Sequence, residues 1–80
     1  MIAKFSKKRL VNDILREARV LSLHEGATRI VAEKVAEKVE KWAKKRSVVT
    51  ELDIDRVTVK ELLKYNKDLA YVYSNRDKII

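Results

Sequence analysis

The chain has no cysteine, no proline and no glutamine, and one glycine in 80 residues. Without Cys there is no disulfide, no thiolate metal site and no cysteine nucleophile, and the single His24 cannot assemble a histidine metal cluster. Sheets joined by tight turns lose their usual punctuation when Pro is missing and Gly occurs once, so helices are expected. No apolar run approaches the length of a membrane span, and the opening MIAKFSKKRL lacks the apolar stretch of a signal peptide. The expectation is a soluble, cytoplasmic protein without a membrane partner. A Gly-rich phosphate cradle and a convergent nucleophile–base cluster are also missing, so catalytic residues, a cofactor, a metal and a small-molecule substrate are not expected. A single short domain buries a smaller fraction of its surface than a large one, and with no covalent or metal staple, oligomerisation is the stabiliser that remains.

What the chain does have is charge. Charged residues make up 39% and the net charge is +7, but the placement is more telling than the sum. Residues 1–10 carry Lys4, Lys7, Lys8 and Arg9 with no acid, and residues 41–50 carry Lys41, Lys44, Lys45 and Arg46 with no acid; without these eight, eleven bases stand against twelve acids. A surplus gathered in two short segments suits a polyanion site, whereas a merely solvated surface intersperses its signs. Bases at the end of a helix also complement its negative pole, which accounts for part of the second cluster. The same argument runs against SKKR, where three cations open a helix at its positive pole and cost a few tenths of a kcal/mol each.

Apolar periodicity divides the chain into helices. Leu10, Val11, Ile14, Leu15 and Ala18 mark a short first helix over residues 6–18. Ser22 with Glu25 has capping-box spacing and predicts the start of a longer second helix, whose stripe is Leu23, Ala27, Ile30, Val31, Val35, Val39 and Trp42. Glu37 with Lys41 and Glu40 with Lys44 are expected as ion pairs one turn apart on its other face, and His24 as a surface or capping residue. SVVT reads as a short extended connector, and Thr50 with Asp53 forms the next capping box. Thr58 and Glu61 repeat that spacing; the expectation is a very short third helix that hands over there to a fourth, with Val59, Leu62, Leu63, Ala70 and Tyr73 as its stripe and a frayed tail over residues 74–80. Trp42 and Phe5 are expected as packing residues. Tyr65, Tyr71 and Tyr73 either cover the core or form a second contact between copies.

Short helix, loop, longer central helix, extended connector and capped third helix is an order that resembles the histone fold, and its details resemble archaeal histones. Arg19, Val20 and Ser22 match the family's first-loop Arg-Val pair and capping Ser, with Leu21 inserted. Arg46 and Asp53 match the spacing of an Arg and an Asp that pair across the second loop, and Arg9 corresponds to an Arg that enters the minor groove. Val48 stands where the family has a phosphate-contacting Thr, which would move that contact to Ser47. The resemblance covers residues 6–58. A short central helix followed by an added helix, about residues 59–73, is similar to the face-to-face histones.

The resemblance implies an all-α histone fold over residues 1–80 that pairs head to tail as a homodimer, and as a homotetramer of two apposed dimers. The first loop of one chain would then lie beside the second loop of its partner. It also implies double-stranded DNA as the partner, association with the nucleoid, and contacts from Lys7, Lys8, Arg9, Arg19, Lys44, Lys45, Arg46 and Ser47, with Arg46 and Asp53 as a structural pair. The competing reading is a histone-fold subunit that serves protein interaction in a transcription or replication complex. A sequence-specific repressor would need base-reading side chains on a recognition helix, and the most basic segments here lie at helix ends.

Overall fold

The structure, a computed structural model, describes residues 5–76 and is all-helical there. Its four helices are α1 (Lys7–Val20), α2 (Glu25–Lys44), α3 (Glu51–Leu62) and α4 (Lys67–Ser74). Each starts on a side chain that satisfies a backbone N–H left over at the helix end. Ser6 Oγ accepts from Arg9 N–H at 3.3 Å, His24 Nδ1 from Ala27 N–H at 3.2 Å, and Asn66 Oδ1 from Leu69 N–H at 3.0 Å. The third cap is reciprocal, as its spacing predicts: Thr50 Oγ1 accepts from Asp53 N–H at 3.1 Å while Asp53 Oδ2 accepts from Thr50 N–H at 3.4 Å. Among the described residues no helix is long and apolar enough to cross a membrane.

The first helix follows the sequence reading, with Leu10, Val11, Ile14, Leu15 and Ala18 all buried. α2 corrects it in two places. Ser22 does not cap α2. It takes φ 55° and closes α1, with Ser22 N–H donating to Arg19 C=O at 3.1 Å and Leu23 N–H to Ala18 C=O at 3.2 Å. This pair of bonds is a Schellman termination, and it turns Leu23 onto the core next to Ala18. α2 therefore starts two residues later, on His24, and Gly26 leaves room for the ring: a Cβ there would stand 3.1 Å from His24 Cε1.

The second correction is rotational. Val35 and Val39 are buried as expected, but the rest of the buried face is Thr28, Ala32 and Ala36, while Ala27 and Ile30 face outward and Val31 and Trp42 are half-buried. Small side chains let α1 approach closely, so α2 turns its alanines, not its largest residues, toward its neighbour.

α3 runs unbroken through Thr58, so no handover occurs there. The reason is local: the Thr58 hydroxyl, wholly buried, donates to Ile54 C=O at 2.7 Å within the helix and is not available as a cap. The break comes over residues 63–66, where Asn66 starts α4. Leu62, Leu69, Ala70 and Tyr73 are buried and Val59 packs on the core, but Leu63 is exposed.

α4 lies against both α1 and α3 and closes the core between them. Residues 74–76 are not frayed: Arg76 donates to Tyr73 C=O at 2.8 Å and to Asp55 Oδ1 at 2.7 Å, and its guanidinium lies 4.0 Å from the centre of the Tyr73 ring. The expected fraying of residues 77–80 falls outside the described residues, as does Lys4. Tyr73 is 1% exposed, and burial, aided by the nearby carboxylates of Asp55, Asp13 and Glu17 and opposed by Arg76, pushes its phenol up to about 12.

Two stability predictions arise here. Ser22→Gly should raise stability by roughly 1 kcal/mol, because a left-handed φ costs an L-residue about that much and glycine little; thermal melting checks it, and a loss would contradict the Schellman geometry. Tyr73 binds its proton more tightly folded than unfolded, so its contribution is intact below pH 10 and falls as pH rises toward about 12. That loss should amount to roughly 2 to 3 kcal/mol, and Tyr73→Phe should remove this part of the alkaline decline in a pH series of denaturant unfolding.

Candidate nucleic-acid interface

The four-residue turn between α1 and α2 makes them an antiparallel pair, and this decides where the charges gather. Lys7 Nζ reaches Glu37 Oε1 at 3.4 Å, so the start of α1 lies beside the C-terminal half of α2. Lys44 is seven residues beyond Glu37, about 10 Å of helix rise. The basic segments 7–9 and 44–47 thus come to one end of the molecule, although 34 residues separate Arg9 from Lys44 and nothing in their spacing alone requires it.

At the start of α1, Lys7, Lys8 and Arg9 fill a first turn that contains no acid of its own. Lys8 and Arg9 are exposed and, among the described residues, have no carboxylate within 4 Å. At the end of α2, Lys44 reaches Glu40 Oε1 at 3.9 Å, Lys45 and Ser47 are exposed, and the Arg46 guanidinium lies 4.7 Å from the centre of the Trp42 ring. The pairs that do form, between Lys7 and Glu37 and between Lys44 and Glu40, lie at the surface, where an ion pair contributes about 0 to 1 kcal/mol. Exchanging either carboxylate for a phosphate costs little.

Two expected contacts are replaced by others. Glu37 partners Lys7 across the helix pair and not Lys41 one turn on, because α1 brings a competing ammonium to it. Arg46 and Asp53 do not meet: the Asp53 carboxylate is engaged in the α3 capping box, and the Arg46 side chain folds back over the end of α2 onto Trp42, four residues earlier. Arg19 belongs to the other end of the molecule, where it reaches Glu25 Oε1 at 3.4 Å. α2 has 20 residues and spans about 30 Å, so within one chain Arg19 does not join Lys45 and Arg46.

Sequence reasoning missed the Arg46 stack on Trp42, although an Arg four residues after a Trp at the end of a helix is a spacing that permits it. A cleft of about 440 Å³ runs between α1, α3 and α4. Its walls set Arg9, Arg16 and Arg76 against Asp13, Glu17, Glu51 and Asp55, a balance of signs that gives it no preference for a polyanion. Comparison of the chain with protein-family models, curated proteins and solved structures finds no match.

The observed partners lead to a double-mutant prediction. The coupling energy between Arg46 and Asp53 should be near zero, whereas that between Arg46 and Trp42 should be about 0.5 to 1 kcal/mol, the usual worth of an exposed cation over an aromatic face. Asp53→Ala alone should cost roughly 1 kcal/mol through loss of the capping box. Denaturant unfolding of the single and double variants checks all three, and a coupling of Arg46 to Asp53 above that to Trp42 would reverse the assignment.

Proposed function

We propose that this chain is a histone-like protein that binds double-stranded DNA through its phosphate backbone and minor groove, with little sequence preference, and bends or compacts it without catalysis. The observation that supports this most is the pair of basic segments at one end of the helix pair, one of them on the positive pole of α1. Cations placed where they lower helix stability have to be repaid by a ligand, and a row of phosphates does so. Lys7, Lys8, Arg9, Lys44, Lys45, Arg46 and Ser47 are the proposed contacts. The N–H groups left over at the start of α1 add donors for a phosphate oxygen there.

Arg19 joins this surface only if a second chain supplies it. In a head-to-tail homodimer the first loop of one protomer lies beside the second loop of the other, which would set the partner subunit's Arg19 next to Lys45 and Arg46. Val35 and Val39 are already covered within one chain, so the apolar surface left on α2 for a partner is the exposed Ile30 with the half-buried Val31 and Trp42. A homodimer, and a homotetramer built from it, are part of the proposal, as is residence on the chromosome.

Backbone binding has a thermodynamic signature. Each phosphate neutralised releases condensed counterions, so log affinity should fall linearly with log salt by about 0.9 per contact. Lys45→Ala should make that slope shallower by roughly one unit for each loop engaged and weaken binding to unrelated duplexes equally. Salt titrations on two duplexes of different sequence test this. A loss confined to one duplex would favour base readout, and no binding to either would leave the interaction-subunit reading in its place.

A further inference from the structure

The basic surplus is not confined to the two ends already described. Across residues 56–67 four bases, Arg56, Lys60, Lys64 and Lys67, meet one acid, Glu61. That acid is tucked in: its side chain is 13% exposed, and Lys64 Nζ covers it at 3.2 Å. Arg56, Lys60 and Lys67 are exposed and, among the described residues, have no carboxylate within 4 Å. On α3, Arg56 and Lys60 lie opposite the buried Thr58 and Leu62. Helical bonding continues past the end of α3, with Leu63 N–H on Val59 C=O at 3.0 Å and Lys64 N–H on Glu61 C=O at 3.1 Å. Arg56, Lys60 and Lys64 therefore rise in steps of about 6 Å.

The turn that follows interleaves these cations with Leu63 and Tyr65, both exposed, and Lys67 opens α4. The dipole of α3 accounts for Lys60 and Lys64 near its C-terminus, but not for Arg56 in mid-helix or for Lys67 at the positive pole of α4. Lysines in file with an exposed tyrosine between them match a sugar–phosphate backbone: ammonium groups for the phosphates, and a phenol that donates to oxygen while its ring lies on the sugar. An acidic protein surface would be matched by the charges alone. The phenol and the regular spacing favour the nucleic acid.

We infer that residues Arg56, Lys60, Lys64, Tyr65 and Lys67 form a second surface for the backbone of duplex DNA, distinct from the one at the ends of α1 and α2. From the start of α3 the chain climbs about 8 Å to Arg56 and about 20 Å to Lys64, which carries Lys60, Lys64, Tyr65 and Lys67 away from the second loop. One protein particle then holds two duplex segments together. The inference rests on the DNA-binding reading above, and goes beyond it in turning a protein that coats DNA into one that bridges it.

The test is a sandwich capture. A short duplex is tethered to a bead, the full chain is added, and a fluorescent duplex of unrelated sequence is offered in solution. Wild type should retain the second duplex. The double variant Lys60→Glu with Lys67→Glu should bind the tethered duplex within about twofold of wild type, yet capture the second at least about tenfold less, since each lost contact removes a counterion-release term. Lys60→Ala with Lys67→Ala should show the same loss more weakly, and melting curves show that both variants fold.

Capture by the Glu variant equal to wild type would overturn the inference, as would a wild type that binds the tethered duplex and captures nothing. An acidic protein as the true partner would give one of these two results. A wild type that binds no duplex at all would remove the DNA-binding reading itself, and with it this extension.

Discussion

The rest of the structure depends on the close contact of α1 with the small-residue face of α2. Ala18 on one helix and Ala32 and Ala36 on the other let the backbones approach, and Ile14, Val35 and Val39 become wholly buried as a result. A methyl group in place of a larger side chain gives up hydrophobic area, but the neighbouring large residues recover it by sealing the gap. The antiparallel arrangement is enforced at the turn by Ser22 in its left-handed conformation and by His24 as the cap. Once α1 lies along α2 in this sense, Lys7 must come beside Glu37, and the two cationic segments share one end of the molecule.

α3 and α4 then complete a core that α1 and α2 leave open. α4 lies on both α1 and α3, and its last turn is secured by Arg76, which bonds Asp55, stacks on Tyr73 and accounts for the order of residues that lie beyond the helix. The polar groups of this core are handled economically: every helix start is capped by a side chain, and the buried Thr58 hydroxyl finds its own helix. The ion pairs of the proposed DNA surface, by contrast, are exposed. Weak, exchangeable pairs on a rigid frame suit a surface that trades carboxylates for phosphates, because the frame is not spent when the partner arrives.

Much of this was legible in the residues. The first helix, the capping box at Thr50 and Asp53, and the all-helical character follow from periodicity and cap spacing, signals that act within one turn of chain. The failures were of another kind. Ser22 with Glu25 satisfied a capping pattern, but the end of the preceding helix claimed Ser22 first. Thr58 with Glu61 satisfied the same pattern in mid-helix, where burial and the bond to Ile54 kept the helix intact. The pairing of Glu37 depended on which helix lay beside α2, and Asp53 was already committed to Thr50; a spacing of seven residues carries no information about such competition. The basic residues of the candidate site were legible as clusters, and their meeting at one end was not, since it is a property of the α1–α2 packing.

The central claim is that the end of the molecule carrying residues 7–9 and 44–47 is the surface that meets duplex DNA. The most direct measurement is residue-resolved: backbone amide and lysine ammonium chemical shifts of the full chain, followed as a duplex of random sequence is added. Shifts at Lys7, Lys8, Arg9, Lys44, Lys45, Arg46 and Ser47, reversed by added salt, are the predicted result, with or without a response from the second surface on α3 and α4. Shifts absent from these residues while others respond would contradict the account.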